Sequence, residues 1–571
     1  MLKMSVCYED FGAVGDGKND DFPAIQKAHD YANEQGLPVI AKPNGTYYIG
    51  DGTISAVIMT DTNWSTARFI IDDTKVPVEN REHNIFEVRS RHTPARLKAT
   101  SIRKSKLMLD YLGDVLSHNA FVVAENENCK QFIRYGPNPT PGDAQTDCFI
   151  LDKSGVILTP VIWDFDEVTS LTAYPIDERV LTISGGIFTT IANSAESKYT
   201  YYARGIGITR SNVEVSGIVH YVTEEQENGA PYTGFVYTQD CAYVTFRNCH
   251  FSGHKIYVTI GGANEPVEMG SYDINLFRSI GVRFENCKQE NILDNTLWGI
   301  FGSNYCKDIV VDGCVLSRVD AHKGVANLTI KNSTIGWMGI KAIGHGHLLI
   351  DNVKVFCNQI VGFRPDYGSS WDGDLTIKNV EWFPASPGSI TFPTLSMHEG
   401  KYLAIVSENN GGRDFGYDCS LPIKVTIENL CVMDGDLGED YLGVSIFYVP
   451  PRMNDHLQKF DCTENHPYIF TSELTVKNAS TKSGKGFSIW SEYPTNGYCK
   501  KPHEVKDGVA AKANFRIVIE GVDKLEIKIP TEIKAEYNTN HRLLPRIEAR
   551  NYDELDYQPG LAPIIFKDGK K

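Results

Sequence analysis

Ten segments along the chain share one pattern: VLTISGG, VEVSGI, VTFRNC, VRFENC, IVVDGC, LTIKNS, LLIDNV, LTIKNV, VTIENL and LTVKNA. Each alternates apolar and polar residues and ends in Asn or Gly, at Gly185, Gly217, Asn248, Asn286, Gly313, Asn332, Asn352, Asn379, Asn429 and Asn478. RIVIEGV, with Gly521, is a candidate eleventh. Successive anchors lie 32, 31, 38, 27, 19, 20, 27, 50 and 49 residues apart, so the basic unit is 19–20 residues and the longer gaps carry loops. A period of two marks strands with one inward face. A unit this short cannot bury its own apolar face and must stack on its neighbours. Asn and Gly at the strand ends suit a turn with left-handed backbone angles. The pattern predicts an all-β fold, a right-handed parallel β-helix. A sandwich of antiparallel hairpins would need frequent two-residue loops, which are scarce here.

The N-terminal stretch YEDFGAVGDGKNDDFPAIQKAHDYANEQG follows a different rule. Phe22, Ile25, Ala28 and Ala32 fall close to one helical face. Asp20 or Asp21 is placed to cap the first turn, Pro23 sits just inside it, and Gly36 ends the helix. LPVIAKPNGTYYIG then reads as strand, turn and strand. An exposed solenoid end needs a cover, and an amphipathic helix supplies one. GDGKNDD is therefore expected to start the fold rather than bind a ligand. A phosphate loop would need Ser or Thr after Lys18, where Asn19 stands, and a calcium loop would need a glutamate at its twelfth position. DFGAVGDGKNDDFPAIQKAHDYANEQG…PVIAKPNGTYYI resembles the N-terminal signature of the pectate-lyase-like β-helix superfamily, which includes polygalacturonase-type glycosidases, polysaccharide lyases and phage tailspike depolymerases. The resemblance covers about the first 50 residues. It implies this fold with a capping α-helix and loop insertions, a structural role for the GDGK loop, and a poly- or oligosaccharide partner.

The 571 residues are expected to form one domain, with the cap and first strands in 1–60, main coils in 178–525 and a polar tail in 538–571. Residues 96–152 read as an insertion lying over the solenoid: SIRKSKLMLDYLGDVLSHN is helix-compatible, and YGPNPTPGDAQTD is turn-rich. Hydrophobic residues make up 42% of the chain, enough for a large core. A net charge of −16 without a Lys/Arg run argues against nucleic acid as a partner. The chain has no apolar run of membrane-spanning length, and MLKMSVCYEDFG lacks one of signal-peptide length. The expectation is a cytoplasmic protein, or a secreted one if a leader has been removed. Thirteen cysteines without a CxxC pair read as buried thiols, and no cofactor is implied. No coiled-coil heptads mark an oligomer, and a homo-oligomer stays open.

Counting forward from the anchors brings ionisable residues to similar offsets in five successive coils: His254 and Lys255, then Asp294, then Asp320, His322 and Lys323, then Lys341, then Arg364 and Asp366. Each alone has a structural explanation as a turn cap or a solvated surface group. Together they mark a candidate site, because stacked charges carry mutual costs that a structural face avoids. Asp294 and Asp320, in adjacent coils, are expected roughly 5 Å apart, near a retaining glycosidase pair, and Asp320 and Asp366 roughly 10 Å apart, nearer an inverting one. His322, Lys341, Arg364 and Asp366 are assigned to positioning or proton transfer, and His254, Lys255, Lys323 and Tyr367 to the substrate. Trp298, Trp337 and Trp371 follow the same anchors and offer faces for sugar rings, ordinary packing being the alternative. The resemblance implies a histidine in a GHG motif, matched by His345, but the NTD, DD and RIK motifs of polygalacturonases are missing. Hydrolysis of a glycosidic bond is the leading expectation. Elimination by a lyase, with Lys or Tyr as base and calcium admitted through Asp372 and Asp374, comes second, and a non-catalytic glycan binder or tail fibre third.

Overall fold

The computed structural model describes residues 4–50, 54–109, 116–134, 136–198, 201–227, 229–299, 301–363, 367, 371–384, 402–407, 417, 419–439, 441–448, 468–469, 471–490, 516–528, 546–558 and 564–566. Parallel ladders run through the chain: Ser184 pairs with Ser216, Ser216 with Arg247, Arg247 with Glu285, Glu285 with Asp312, Asp312 with Lys331, and Lys331 with Asp351. These residues directly precede the anchors, so the gaps between anchors are the coil lengths. The architecture is the right-handed parallel β-helix.

Each anchor adopts the backbone its residue type allows. Asn248, Asn286, Asn332, Asn352, Asn379, Asn429 and Asn478 have φ between 51° and 55°, and Gly185, Gly217, Gly313 and Gly521 between 65° and 71°. The asparagine side chains also stack along the axis. Asn352 Nδ2 donates to Asn332 Oδ1 at 2.9 Å, and Asn429 Nδ2 to Asn379 Oδ1 at 2.9 Å. Asn551, with φ 53°, heads one more coil, whose strand Arg546–Gln558 pairs in parallel with Arg516–Lys528. The solenoid thus continues into the region the pattern assigned to a polar tail. Inside the coils the apolar positions form one continuous core.

The helix Phe22–Gln35 covers the first coil with Phe22, Ile25, Ala28 and Ala32 buried, and Gly36 ends it at φ 66°. The GDGKNDD stretch is spent on local bonds. Asp16 Oδ1 accepts from the amides of Lys18 and Asn19, Asp20 Oδ1 from that of Phe22, and Asp21 from those of Val14 and Gly15. Cys148, Cys241, Cys249, Cys287, Cys306, Cys314 and Cys357 are buried free thiols.

The insertion differs from expectation. The helix-compatible segment forms isolated bridges at Ile102 and Met108 and no helix among its described residues. The insertion is a four-stranded antiparallel sheet of Ala95–Arg96, Ala120–Gln131, Asp143–Leu151 and Ser170–Pro175. Alternation decides this: Phe121, Val123, Cys148 and Ile150 face Ala242 and Ile280 of the solenoid, while Val122, Ala124, Phe149 and Leu151 face a core of the insertion's own. Its docking is fixed by a buried ion pair, Lys307 Nζ to Asp147 Oδ1 at 2.7 Å, with Lys307 also donating to the Pro160 carbonyl at 2.7 Å. No described helix is long and apolar enough to cross a membrane.

Candidate active site

The third strand of each coil carries the site. Val319 and Ala321 lie in the core, so Asp320 between them points outward, and Ile340 and Ala342 do the same for Lys341. Along the axis this outward row reads Tyr237, Asn275, Gly302, Asp320, Lys341, Gly362. Neighbouring backbones in such a row lie about 4.8 Å apart. Asp320 points out yet is fully buried. Tyr272 OH donates to its Oδ2 at 2.9 Å, and the Arg318 guanidinium pairs with the same oxygen at 2.5 Å. Tyr272 reaches Asp320 by lying across Gly302, where a Cβ would stand 3.0 Å from its ring. Arg318 lies 4.9 Å from the centroid of a Trp298 ring and 5.3 Å from that of Tyr272. Its Nε and Nη1 have no hydrogen-bond partner among the described residues.

The insertion forms the second wall. Asp143 pairs with Lys323 and accepts from Tyr305 OH at 2.6 Å. Burial first, then Asp143, push the Tyr305 phenol well above its ordinary range. His322 meets the buried Tyr367 edge-on at 5.4 Å, Arg134 lies over the same ring at 5.6 Å, and Phe132, Tyr305, Ile343 and Tyr367 make a small cluster beneath.

Several expected positions need correction. Asp294 does not stack on Asp320, because in its coil that place belongs to Gly302. Asp294 sits in the preceding loop, where its Oδ1 accepts from the Thr296 amide at 2.9 Å and hydroxyl at 2.7 Å. Trp371 is wholly buried in the coil core, donating to the Gly346 carbonyl at 3.1 Å, and offers no face to a sugar. Trp337 is half-buried. Arg364 and Asp366 lie outside the described residues. His345 packs edge-on against Trp163 at 4.4 Å and faces Asp372 at 3.8 Å, which lowers the Asp372 carboxyl, while Asp374 faces His347. The alignment thus brings Asp320, Lys341, His322, Lys323, Trp298 and Tyr367 to one region. Arg318 and Tyr272 were missed. For Arg318 the signal was present, since residues two apart on a strand share a face; Tyr272 sits in a loop whose path the pattern does not give.

His254 and Lys255 belong to a separate buried network. His254 Nδ1 meets Glu225 Oε1 at 2.9 Å and its Nε2 meets Asp273 Oδ1 at 3.1 Å. Burial pulls this imidazole down, but the two carboxylates outweigh it and hold it at about 10. Burial raises Asp273, yet His220 and His254 bring it below the usual carboxylate range. Lys255 Nζ donates to the Gln226 and Glu227 carbonyls and lies 4.6 Å over the Tyr257 ring. Neither residue joins Asp320.

No family model matches the sequence. No curated protein matches it either. Among solved structures, a tailspike of Pseudomonas phage phi297 aligns over 95% of this chain and 83% of its own, at 12% identity and TM-score 0.46. The Family 28 exopolygalacturonase of Yersinia enterocolitica aligns over 100% and 79%, at 12% identity and TM-score 0.36. The surface adhesin PfbA of Streptococcus pneumoniae aligns over 98% and 97%, at 12% identity and TM-score 0.30. The strand register itself gives this chain a parallel β-helix architecture, the fold that its N-terminal signature implies.

Proposed function

We propose that this protein is a carbohydrate-active enzyme that cleaves glycosidic bonds of a polysaccharide or oligosaccharide by hydrolysis, with Asp320 as a working carboxyl. One observation carries the reading. On an outward row that holds Gly302 and Gly362 in the flanking coils, two successive coils hold Asp320 and Lys341, and Asp320 is enclosed by Tyr272 and Arg318 instead of solvated. Enclosing a charge costs several kcal/mol, on the order of the penalty for a buried ion, which a purely structural outer face avoids. The carbohydrate class is supported by the N-terminal signature, and Trp298, only partly covered, offers an aromatic surface beside the carboxylate.

A carboxylate between an arginine and a lysine suits activation of water or direct attack. The acid partner is assigned to Asp366, with His322, Lys323, Tyr367 and Arg364 positioning the sugar. A second reading, β-elimination on a uronate-containing glycan, is favoured by the nature of Asp320's partner in the stack, which is Lys341 and not a carboxylate. In that reaction Lys341 or Tyr272 removes the proton, and the unspent Arg318 donors neutralise the sugar carboxylate.

The two chemistries separate in one assay on neutral and uronic polysaccharides. New reducing ends and the absorbance of unsaturated uronates are followed together for wild type, Asp320→Asn and Lys341→Met. Reducing ends without unsaturation, lost in Asp320→Asn, are the expected result. Unsaturated products lost in Lys341→Met would move the reaction to elimination. Products unaffected by either substitution would remove this site from the reaction.

A further inference from the structure

The buried network beside the site holds more than ion pairs. His220 Nδ1 lies 2.8 Å from Asp273 Oδ2, and His254 Nε2 lies 3.1 Å from Asp273 Oδ1. The donor atoms of all three residues lie within 4.8 Å of one another, and their side chains are 1%, 0% and 2% exposed. No other such trio of His, Cys, Asp and Glu occurs among the described residues. We propose that His220, Asp273 and His254 form a structural site for one divalent first-row transition-metal ion, of which zinc is the representative.

The outer nitrogens of both imidazoles are already held. His254 Nδ1 faces Glu225 Oε1 at 2.9 Å, and His220 Nε2 faces Thr190 Oγ1 at 3.0 Å. Glu225 is in turn held by Tyr257 OH at 2.7 Å and by the Lys255 amide at 2.8 Å. His220 is clamped flat against Phe235, with ring centroids 3.8 Å apart and planes 2° apart. Each imidazole therefore has one nitrogen fixed by an oxygen and the other aimed at a shared carboxylate, the arrangement that orients histidine ligands around a metal. Two imidazoles and a carboxylate suit zinc or cobalt, and are a poor set for calcium, which takes oxygen donors. On binding, the ion replaces the protons between the imidazoles and Asp273; the metal–nitrogen and metal–oxygen bonds form without a redox step.

The ion would pin the loop 252–273 to the strand Val219–Thr223. Tyr272, next to Asp273 at the end of that loop, is the residue that covers Asp320. The proposal does not depend on the reaction the protein runs.

The test uses the full chain, stripped with a chelator and then exposed to zinc. One zinc per chain by elemental analysis, with a raised melting temperature, is expected, and loss of that zinc in His254→Gln. A second histidine pair, His92 and His118, with ring centroids 4.3 Å apart, provides the control. Zinc retained in His92→Gln supports the site, and zinc lost there would overturn it. X-ray absorption on zinc-loaded wild type needs no variant. Two imidazole neighbours and oxygen support the assignment; sulfur neighbours, or no zinc uptake, contradict it.

Discussion

Two stretches of the solenoid differ in how they turn the corner between second and third strands. From Gly313 to Asn352 the coils are 19 and 20 residues long and run through that corner as single strands, Val315–Lys331 and Thr334–Val355. From Asn248 to Gly313 they are 38 and 27 residues long, and loops such as the one carrying the hairpin of Ile256–Ile260 and Pro266–Gly270 fill the corner. The same outward position of the third strand falls 27 residues after the anchor at Asn275, 16 at Gly302, 7 at Asp320, 9 at Lys341 and 10 at Gly362. Offsets from an anchor are thus a ruler only where the corner is short. The short coils present a charged row, and the long corners fold back to cover it.

Breaking the contact between the covering insertion and the solenoid should have the largest effect. Lys307→Met leaves Asp147 buried without its cation and should cost about 3–5 kcal/mol in denaturant unfolding. A cost below 1 kcal/mol would mean that the insertion docks through its apolar face alone.

The loop network should give the fold a pH dependence of its own. In chelator-treated protein, His254, held at about 10 against an ordinary 6.5, stabilises the fold fully below pH 6.5, and this contribution is lost as pH rises through 10. Stability should therefore fall between pH 7 and 10 by on the order of 3–4 kcal/mol, and His254→Gln should flatten that decline. An unchanged decline in the variant would place its cause elsewhere.

The anchors give a finer test. Gly217 and Gly313 both have positive φ, but a Cβ at Gly217 meets nothing nearer than 3.9 Å, whereas at Gly313 it would stand 2.4 Å from Asn286 Oδ1. Gly217→Ala should cost about 1 kcal/mol from backbone strain alone, and Gly313→Ala should exceed it by about 1 kcal/mol. Equal costs would mean that the asparagine stack yields freely.

What the sequence disclosed follows the same division. All eleven anchors adopt the left-handed turn, because strand alternation and the Asn/Gly terminus are local signals that each coil repeats. The capping helix was equally legible from Phe22, Ile25, Ala28 and Ala32. At the site, Asp320 and Lys341 were found because their corners are short, while Asp294 was misplaced by the loop that precedes Gly302. Trp371 illustrates a different limit: its place after an anchor could not distinguish the inward from the outward face. Tyr272 and the trio of His220, Asp273 and His254 were hidden for a third reason. Their meeting depends on the path of a loop between residues 19 and 53 positions apart, which no periodicity encodes. The insertion was found as a departure from the pattern, but its strands, paired only with one another, left no repeat to read.

The most direct test of the account compares two carboxylates that the sequence treated as equals. Asp320→Asn and Asp294→Asn are assayed on a glycan that wild type cleaves, with both variants checked for folding. Asp320→Asn should lower turnover by about 10²–10⁴-fold while Asp294→Asn stays within a few-fold of wild type. Loss of activity in Asp294→Asn with Asp320→Asn unaffected would contradict it.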